Sequence, residues 1–280
     1  MRDAFMYYQG IGDALLLSTV LYHRGKAQPT NSRVWVGTNY PEIYQGNPFV
    51  QVLPGRTQHW GHRLIRLMRI CRLVKPFSYI DYYHKGIPKA HLLTLLSERI
   101  GLHTAPITPV YFPTENERRT RLLPQSTKPV VIMQSTGNTA WTDNKNWGSE
   151  RFCAVAKLLA ASATLVQIGR SEDPPLEGAL NLCGRLTIRQ CFQVLAEGNL
   201  FIGQVGFLMH AAAAVSTPGV IVYGGFEAPW QSGYEANVNL YTTLECSPCW
   251  LQTRCPYEKK CLTQITPELV AASARHKLSL

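Results

Sequence analysis

The apolar positions of this chain fall into short continuous runs separated by stretches of helical period. The alternation is clearest in residues 201–227, FIGQVGFLMHAAAAVSTPGVIVYGGFE. A continuous apolar run suits a strand buried on both faces, and a run of small residues suits a helix packed close to a sheet. The stretch predicts a buried strand, a glycine-bearing turn, a small-residue helix, and a second buried strand ending in Gly224-Gly225. A helix opening near Gly206 points unpaired N–H groups and a positive dipole end beyond the strand, the usual physical basis of phosphate binding in α/β proteins. A plain βαβ unit with glycines for tight packing fits the same residues.

The arrangement recurs upstream. Residues 129–133, PVVIM, form an apolar run ending in Gln134-Ser135-Thr136-Gly137. From Ser149 the pattern SERFCAVAKLLAAS has helical period, with Ser149 as the expected N-cap. Residues 164–168 predict a further strand, finishing in Gly169-Arg170-Ser171. Thr187 caps the next predicted helix and Gly198 stops it. Strands alternating with helices imply a parallel sheet with right-handed crossovers, so the polar and glycine residues at the strand ends line one edge.

The first part of the chain repeats this logic more loosely. Residues 4–8 predict a strand, Gln9-Gly10-Ile11-Gly12-Asp13 a turn, and ALLLSTVLYHR a helix. Residues 34–36, 49–52 and 78–83 predict further strands. Between the halves, residues 106–129 carry Pro106, Pro109, Pro113, Pro124 and Pro129 and the charged run ENERRTR, which suits a linker. The fold class is α/β with two Rossmann-like doubly wound domains facing across a cleft, residues 1–125 and 126–280.

Composition adds two constraints. A hydrophobic fraction of 45% allows a full core, and no run approaches the ~18 apolar residues of a membrane span. The opening, MRDAFMYYQGIGD, lacks the apolar segment of a signal peptide, so a cytoplasmic protein with reduced thiols is expected. The net charge of +10 is unevenly spread: Arg63, Arg66, Arg69 and Arg72 recur through an apolar segment with no Asp or Glu from Arg56 to Lys75. A basic amphipathic helix of this kind suits an anionic membrane surface or an acidic acceptor, and equally a solvated helix face. The segment carries no recognised nucleic-acid-binding motif.

Gly10-Ile11-Gly12-Asp13 at the start, Asn144-Lys145-Asn146-Trp147 before a helix, and GFLMHAAAAV followed by VIVYGG resemble glycosyltransferase family 9, the bacterial heptosyltransferases and related surface-polysaccharide enzymes. The resemblance implies the GT-B architecture and transfer of a sugar from a nucleotide diphosphate donor, with inversion. It implies that Asp13 is the general base on the acceptor hydroxyl and that Lys145 neutralises the donor diphosphate. Gln134, Ser135, Thr136, Gly206, His210, Gly224 and Gly225 fall on the donor side. Gly12, Arg63, Arg66 and Arg69 fall on the acceptor or membrane side. Bare chemistry is compatible with less: Asp13 also reads as a helix cap, Lys145 as a surface lysine, His210 as a core histidine.

The turn after the FIG-like strand departs from the family pattern. Heptosyltransferases carry an acid there, whereas this chain has Gln204-Val205-Gly206. Any sugar or ribose contact made through that acid is lost. Heptose therefore stands as one candidate sugar, and an ADP-sugar as the favoured donor. The acceptor is a surface glycan, lipopolysaccharide or protein, reached at the inner membrane's cytoplasmic face. Two rivals remain: a non-catalytic scaffold derived from this fold, and a doubly wound nucleotide-sugar epimerase.

Four of the eight cysteines are clustered, as Cys246-x2-Cys249-x5-Cys255-x5-Cys261. Four thiolates in a reducing compartment suit tetrahedral zinc or an iron centre, structural rather than catalytic because no coordination position stays open. The alternative is four free thiols in a loop.

Overall fold

The structure is a computed structural model that describes residues 2–7, 10–28, 33–53, 67, 74–78, 86–136 and 142–279. Arg63, Arg66 and Arg69 lie outside the described residues, as do Gly137 and the strand residues expected beyond Ser78. The chain divides into two compact units, Met1–Thr114 and Glu115–Leu280.

In the first unit β1 (Arg2–Tyr7), β2 (Val34–Thr38), β3 (Val50–Val52) and β4 (Val74–Ser78) form a parallel sheet in the order β3-β2-β1-β4. The sequence pattern misses β4 because it contains Lys75 and Pro76; as an edge strand pairing with β1 it tolerates a residue without an N–H. Helix α1 (Ile11–Ala27) follows β1 and is buried continuously from Ala14 to Leu21, as a helix apolar on most of its circumference must be. Asn47 fastens the turn before β3 to it: Nδ2 donates to Ser18 O (2.8 Å) and Oδ1 accepts from Phe49 N (3.1 Å). Asp13 sits in the first turn of α1, and the N-cap, Gly10, makes no side-chain capping bond.

In the second unit β5 (Val130–Met133), β6 (Thr164–Gln167), β7 (Leu180–Asn181), β8 (Leu200–Gln204), β9 (Gly219–Gly224) and β10 (Val238–Tyr241) form an all-parallel sheet. Their order is β10-β9-β8-β5-β6-β7. The chain moves outward from β5 to β7, then restarts beside β5 with β8 and moves the other way. The sheet therefore reverses its winding between β5 and β8, which is where an open parallel sheet binds ligands. On one face, helices Ser149–Leu159 and Pro267–Leu278 cover a core that includes Trp147, Phe152, Leu200, Ile202, Val220, Val222 and Val270.

Two local expectations change. Gly148, not Ser149, is the N-cap of the helix after β5: its φ of +101° belongs to the region that favours glycine, and its N–H donates to Asn146 Oδ1 (3.2 Å). The proline-rich segment 106–129 is not one free linker. Its run of charges forms the short helix Glu115–Arg119, and Glu117 grips Arg189 through both oxygens at 2.6 Å. Glu197 accepts the N–H groups of Leu122 and Leu123 (2.7 and 3.0 Å). These bonds dock the segment on the second unit, and the unit boundary falls at Thr114/Glu115. Thr187, by contrast, forms the expected cap, in a reciprocal box with Gln190.

Candidate functional site

The C-terminal ends of the neighbouring strands β6, β5 and β8 carry Gln167, Gln134 and Gln204; the register pairs Gln167 with Met133, so Gln134 stands one residue further along. Gln167 is fully buried; its amide donates to Ser135 Oγ (2.9 Å) and Pro174 O (2.8 Å) and accepts from Leu176 N (2.7 Å). Thr136 donates to Asp173 Oδ1 (2.5 Å), and Asp173 also accepts from Arg170 N. The two hydroxyls expected at the donor phosphates are thus held by the turn after β6. Gly169 permits this closeness, because a Cβ there would lie 2.2 Å from Asp173 Oδ2.

Gln204 takes the position where the family pattern has an acid nearby. It is buried, and its Oε1 accepts from Trp147 N (3.0 Å). Because a backbone N–H can only donate, the amide orientation is fixed, and Nε2 is a buried donor with no hydrogen-bond partner among the described residues. Two residues on, helix Phe207–Ala214 starts at Gly206 without a side-chain cap. A Cβ on Gly206 would meet nothing within 4 Å, so the helix opens with its N–H groups and dipole uncovered by a capping side chain.

Lys145 reaches the same edge. Its ammonium lies 2.5 Å from Glu227 Oε1 and over the rings of Phe226 (4.8 Å to the centroid) and Trp250 (5.9 Å). The Glu227 side chain is 3% exposed and that of Lys145 21%, so this is a largely buried ion pair rather than a surface one. Glu227 was legible in the sequence only as the residue after Gly224-Gly225-Phe226; no spacing rule pointed to it.

His210 turns inward, with Nδ1 2.5 Å from the hydroxyl of buried Tyr234. Burial, then the neighbouring Tyr223 and Glu227, raises the Tyr234 hydroxyl well above its ordinary pKa. The phenol therefore keeps its proton, and which of the two groups donates is set by the His210 tautomer. Gly224 and Gly225 are close-approach glycines: a Cβ on Gly224, whose φ is +63°, would lie 2.5 Å from Leu262, and one on Gly225 would lie 2.2 Å from Ser247 Oγ. Both are covered by the cysteine-bearing segment.

That segment brings its thiols together without converging them. Cys246, Cys249, Cys255 and Cys261 are all free and half-buried. Burial raises the thiols of Cys249 and Cys261, and each feels the charge of its neighbours among the four. The soft donor set suits zinc or iron. Among the described residues, however, no three His, Cys, Asp or Glu side chains are spaced to hold an ion. The expected four-thiol centre is not assembled in this geometry.

In the first unit, Gly12 and Asp13 lie in the opening turn of α1. The Tyr44 hydroxyl is buried with no hydrogen-bond partner among the described residues, and its pKa is raised by burial and by the charge of Asp13. Among the described residues no helix is long and apolar enough to cross a membrane.

The sequence model of glycosyltransferase family 9 (heptosyltransferase) matches residues 90–260, more than half of the chain. The chain belongs to glycosyltransferase family 9. It is 33% identical over 103 residues to lipooligosaccharide heptosyltransferase 2 of Campylobacter jejuni, a stretch that covers 35% of this chain and 31% of that protein. The match thus spans about a third of the curated relative's length. The fold is similar to that of E. coli ADP-heptose LPS heptosyltransferase II, with a TM-score of 0.70 at 17% identity over 100% of this chain and 99% of that one. It is also similar to the dodecameric iron-containing heptosyltransferase TibC of enterotoxigenic E. coli, solved with ADP-D-β-D-heptose. That likeness has a TM-score of 0.71 at 16% identity and covers 99% of this chain and 77% of that one. The family 9 fold is GT-B, and the two parallel α/β units agree with it.

Proposed function

We propose that this family 9 member is an inverting glycosyltransferase that moves a sugar from a nucleoside diphosphate to a hydroxyl of a surface glycan, lipopolysaccharide or protein. The observation that carries the reading is the Lys145 ammonium, held by buried Glu227 at the C-terminal edge of the sheet where its winding reverses. The second unit, Glu115–Leu280, binds the donor and the first, Met1–Thr114, the acceptor. ADP is the favoured nucleotide, since the sugar nucleotide in complex with TibC is ADP-D-β-D-heptose. Arg63, Arg66 and Arg69 would meet an anionic acceptor or the cytoplasmic face of the inner membrane.

In the transfer, Asp13 accepts the proton of the acceptor hydroxyl as its oxygen attacks the anomeric carbon. The bond from that carbon to the diphosphate oxygen breaks on the opposite face. Its electron pair leaves with the nucleoside diphosphate. Lys145 and the N–H groups following Gly206 stabilise the charge that develops there. No step runs through the four cysteines; their soft donor set would suit a structural zinc or iron only if the thiols drew together from their unconverged arrangement, and metal analysis of the purified protein tests this, a sample essentially free of both metals sinking it. The turn at Gln204-Val205-Gly206 lacks the acid of the family pattern, so the sugar need not be heptose.

The test is calorimetry with nucleoside diphosphates, together with turnover of the matching nucleotide sugars in the presence of a chelator. The expected result is binding of ADP and release of ADP on transfer, with Asp13→Ala lowering turnover by about 10² or more while ADP affinity stays within a few fold. Isomerisation of the sugar without ADP release would favour an epimerase, and folded protein that binds nucleotide without turnover a scaffold.

A further inference from the structure

We infer that Trp250 is a positioning residue for Lys145, set by a strap formed from the cysteine-bearing segment; the inference rests on the reading of Lys145 as the diphosphate contact. The loop that carries Lys145 is stitched to that segment on both sides of the lysine. Before it, Thr142 Oγ1 donates to Leu251 O (3.2 Å), and Asn144 Nδ2 donates to Leu251 O (2.5 Å) and Thr253 O (2.8 Å). Asp143 pairs with Lys259. After it, the Trp147 indole N–H is shared between Leu262 O (3.2 Å) and Ile265 O (3.0 Å). Asn144 and Trp147 are buried, so water does not cheaply replace these bonds.

Trp250 is where the strap touches the ammonium. Its φ of +48° is unusual for a bulky residue. Two bonds hold it there: its N–H donates to Phe226 O (3.0 Å), and its indole N–H donates to Gln231 Oε1 (3.0 Å). Gln231 is itself fixed, since the same oxygen accepts from Ala228 N (2.8 Å). The Trp250 and Phe226 rings lie 5.4 Å apart, and the Lys145 ammonium sits over both. A lysine side chain loses much rotamer freedom when it binds an anion, and a lysine already confined by ring faces and a carboxylate loses less. The strap therefore lowers the cost of diphosphate binding without touching the diphosphate.

The test is the calorimetric affinity of the full chain for ADP in Trp250→Leu, Trp250→Phe, Lys145→Ala and Trp250→Leu/Lys145→Ala, with the melting temperature of each. A cation–π contact of ordinary strength predicts a loss of about fivefold in Trp250→Leu. Trp250→Phe, which keeps a ring face, should recover most of it. In the Lys145→Ala background Trp250→Leu should cost nothing further, because Trp250 acts through the ammonium. Asn144→Ala, which loosens the strap with Trp250 intact, gives a second route and should show the same dependence on Lys145. Unchanged affinity in Trp250→Leu, or losses that add to those of Lys145→Ala, would overturn the inference. Unchanged affinity in Lys145→Ala itself would instead overturn the reading of Lys145 on which it rests.

Discussion

Lys145 and Glu227 form a largely buried ion pair at 2.5 Å, so the candidate diphosphate cation is already matched by a carboxylate. A pair of this kind has no net charge, and a bound diphosphate feels the carboxylate as well as the ammonium. Glu227 thus weakens ground-state attraction while fixing the ammonium in one place. Glu227→Gln keeps a neutral acceptor beside Lys145 but releases the full positive charge. We expect ADP to bind several-fold more tightly in this variant while turnover falls about tenfold, because only stabilisation matched to the transition state accelerates transfer. Calorimetry and initial rates on one preparation check both; a parallel fall in affinity and rate would show that Glu227 acts only on stability.

The Arg189–Glu117 pair docks the proline-rich segment on the second unit. Its side chains are 11% and 14% exposed, so removing the carboxylate takes a bidentate partner from a largely buried guanidinium. Glu117→Ala should cost about 3 kcal/mol and leave ADP affinity unchanged, since neither side chain belongs to the groups assigned to the donor. Urea unfolding followed by tryptophan emission reads the loss. A midpoint within error of the parent would mean that the segment is tethered by its backbone contacts alone.

Four strands of the second unit, β5, β6, β8 and β9, were legible because each is a continuous apolar run between turn signals, and buried parallel strands leave that trace; β7 and β10, at the two edges of the sheet, were not, because one is two residues long and both contain an asparagine. β4 was not, since Lys75 and Pro76 break the pattern that its place on the sheet edge allows. Local chemistry reached Thr187, whose capping partner lies three residues away, and failed at Ser149, where the backbone needs a positive φ and Gly148 supplies it. Asp13 and Lys145 were visible through short motifs. Glu227 and Trp250 were not singled out, and Asn144 entered only as part of the motif around Lys145, because what gives them a role is contact between residues far apart in sequence, and no period or spacing records it.

Cys191 offers a pH-dependent reading of the core. Burial first, and then the charge of Cys183, pushes its thiol from 9.0 up to about 11. A raised pKa means that the folded state holds the proton more tightly than the unfolded state. The resulting stability is fully present below pH 9 and is lost as pH rises towards 11. Its size is on the order of 2 kcal/mol. Tyrosines titrate near the top of this window, so the comparison is between the parent and Cys191→Ala, measured by urea unfolding at about pH 8 and about pH 10.5. The difference in stability between the two proteins should shrink with rising pH; a constant difference would show that Cys191 contributes packing only.

Gly224 is the residue at which the last strand of the apolar motif meets the cysteine-bearing segment. Its φ is +63°, and an added Cβ would lie 2.5 Å from Leu262 Cδ2 and 3.7 Å from Cys261 Sγ. Gly224→Ala therefore combines backbone strain with overpacking, each of which costs about 1 to 3 kcal/mol. Leu262 O also receives the Trp147 indole N–H, so a displaced Leu262 loosens the anchor after Lys145. The variant should unfold several degrees below the parent and bind ADP more weakly, although Gly224 carries no side chain to contact the nucleotide. Stability and affinity should be partly restored together by Leu262→Ala, which vacates the space the new methyl needs. Restored stability with affinity still low would place Gly224 in direct contact with the nucleotide instead.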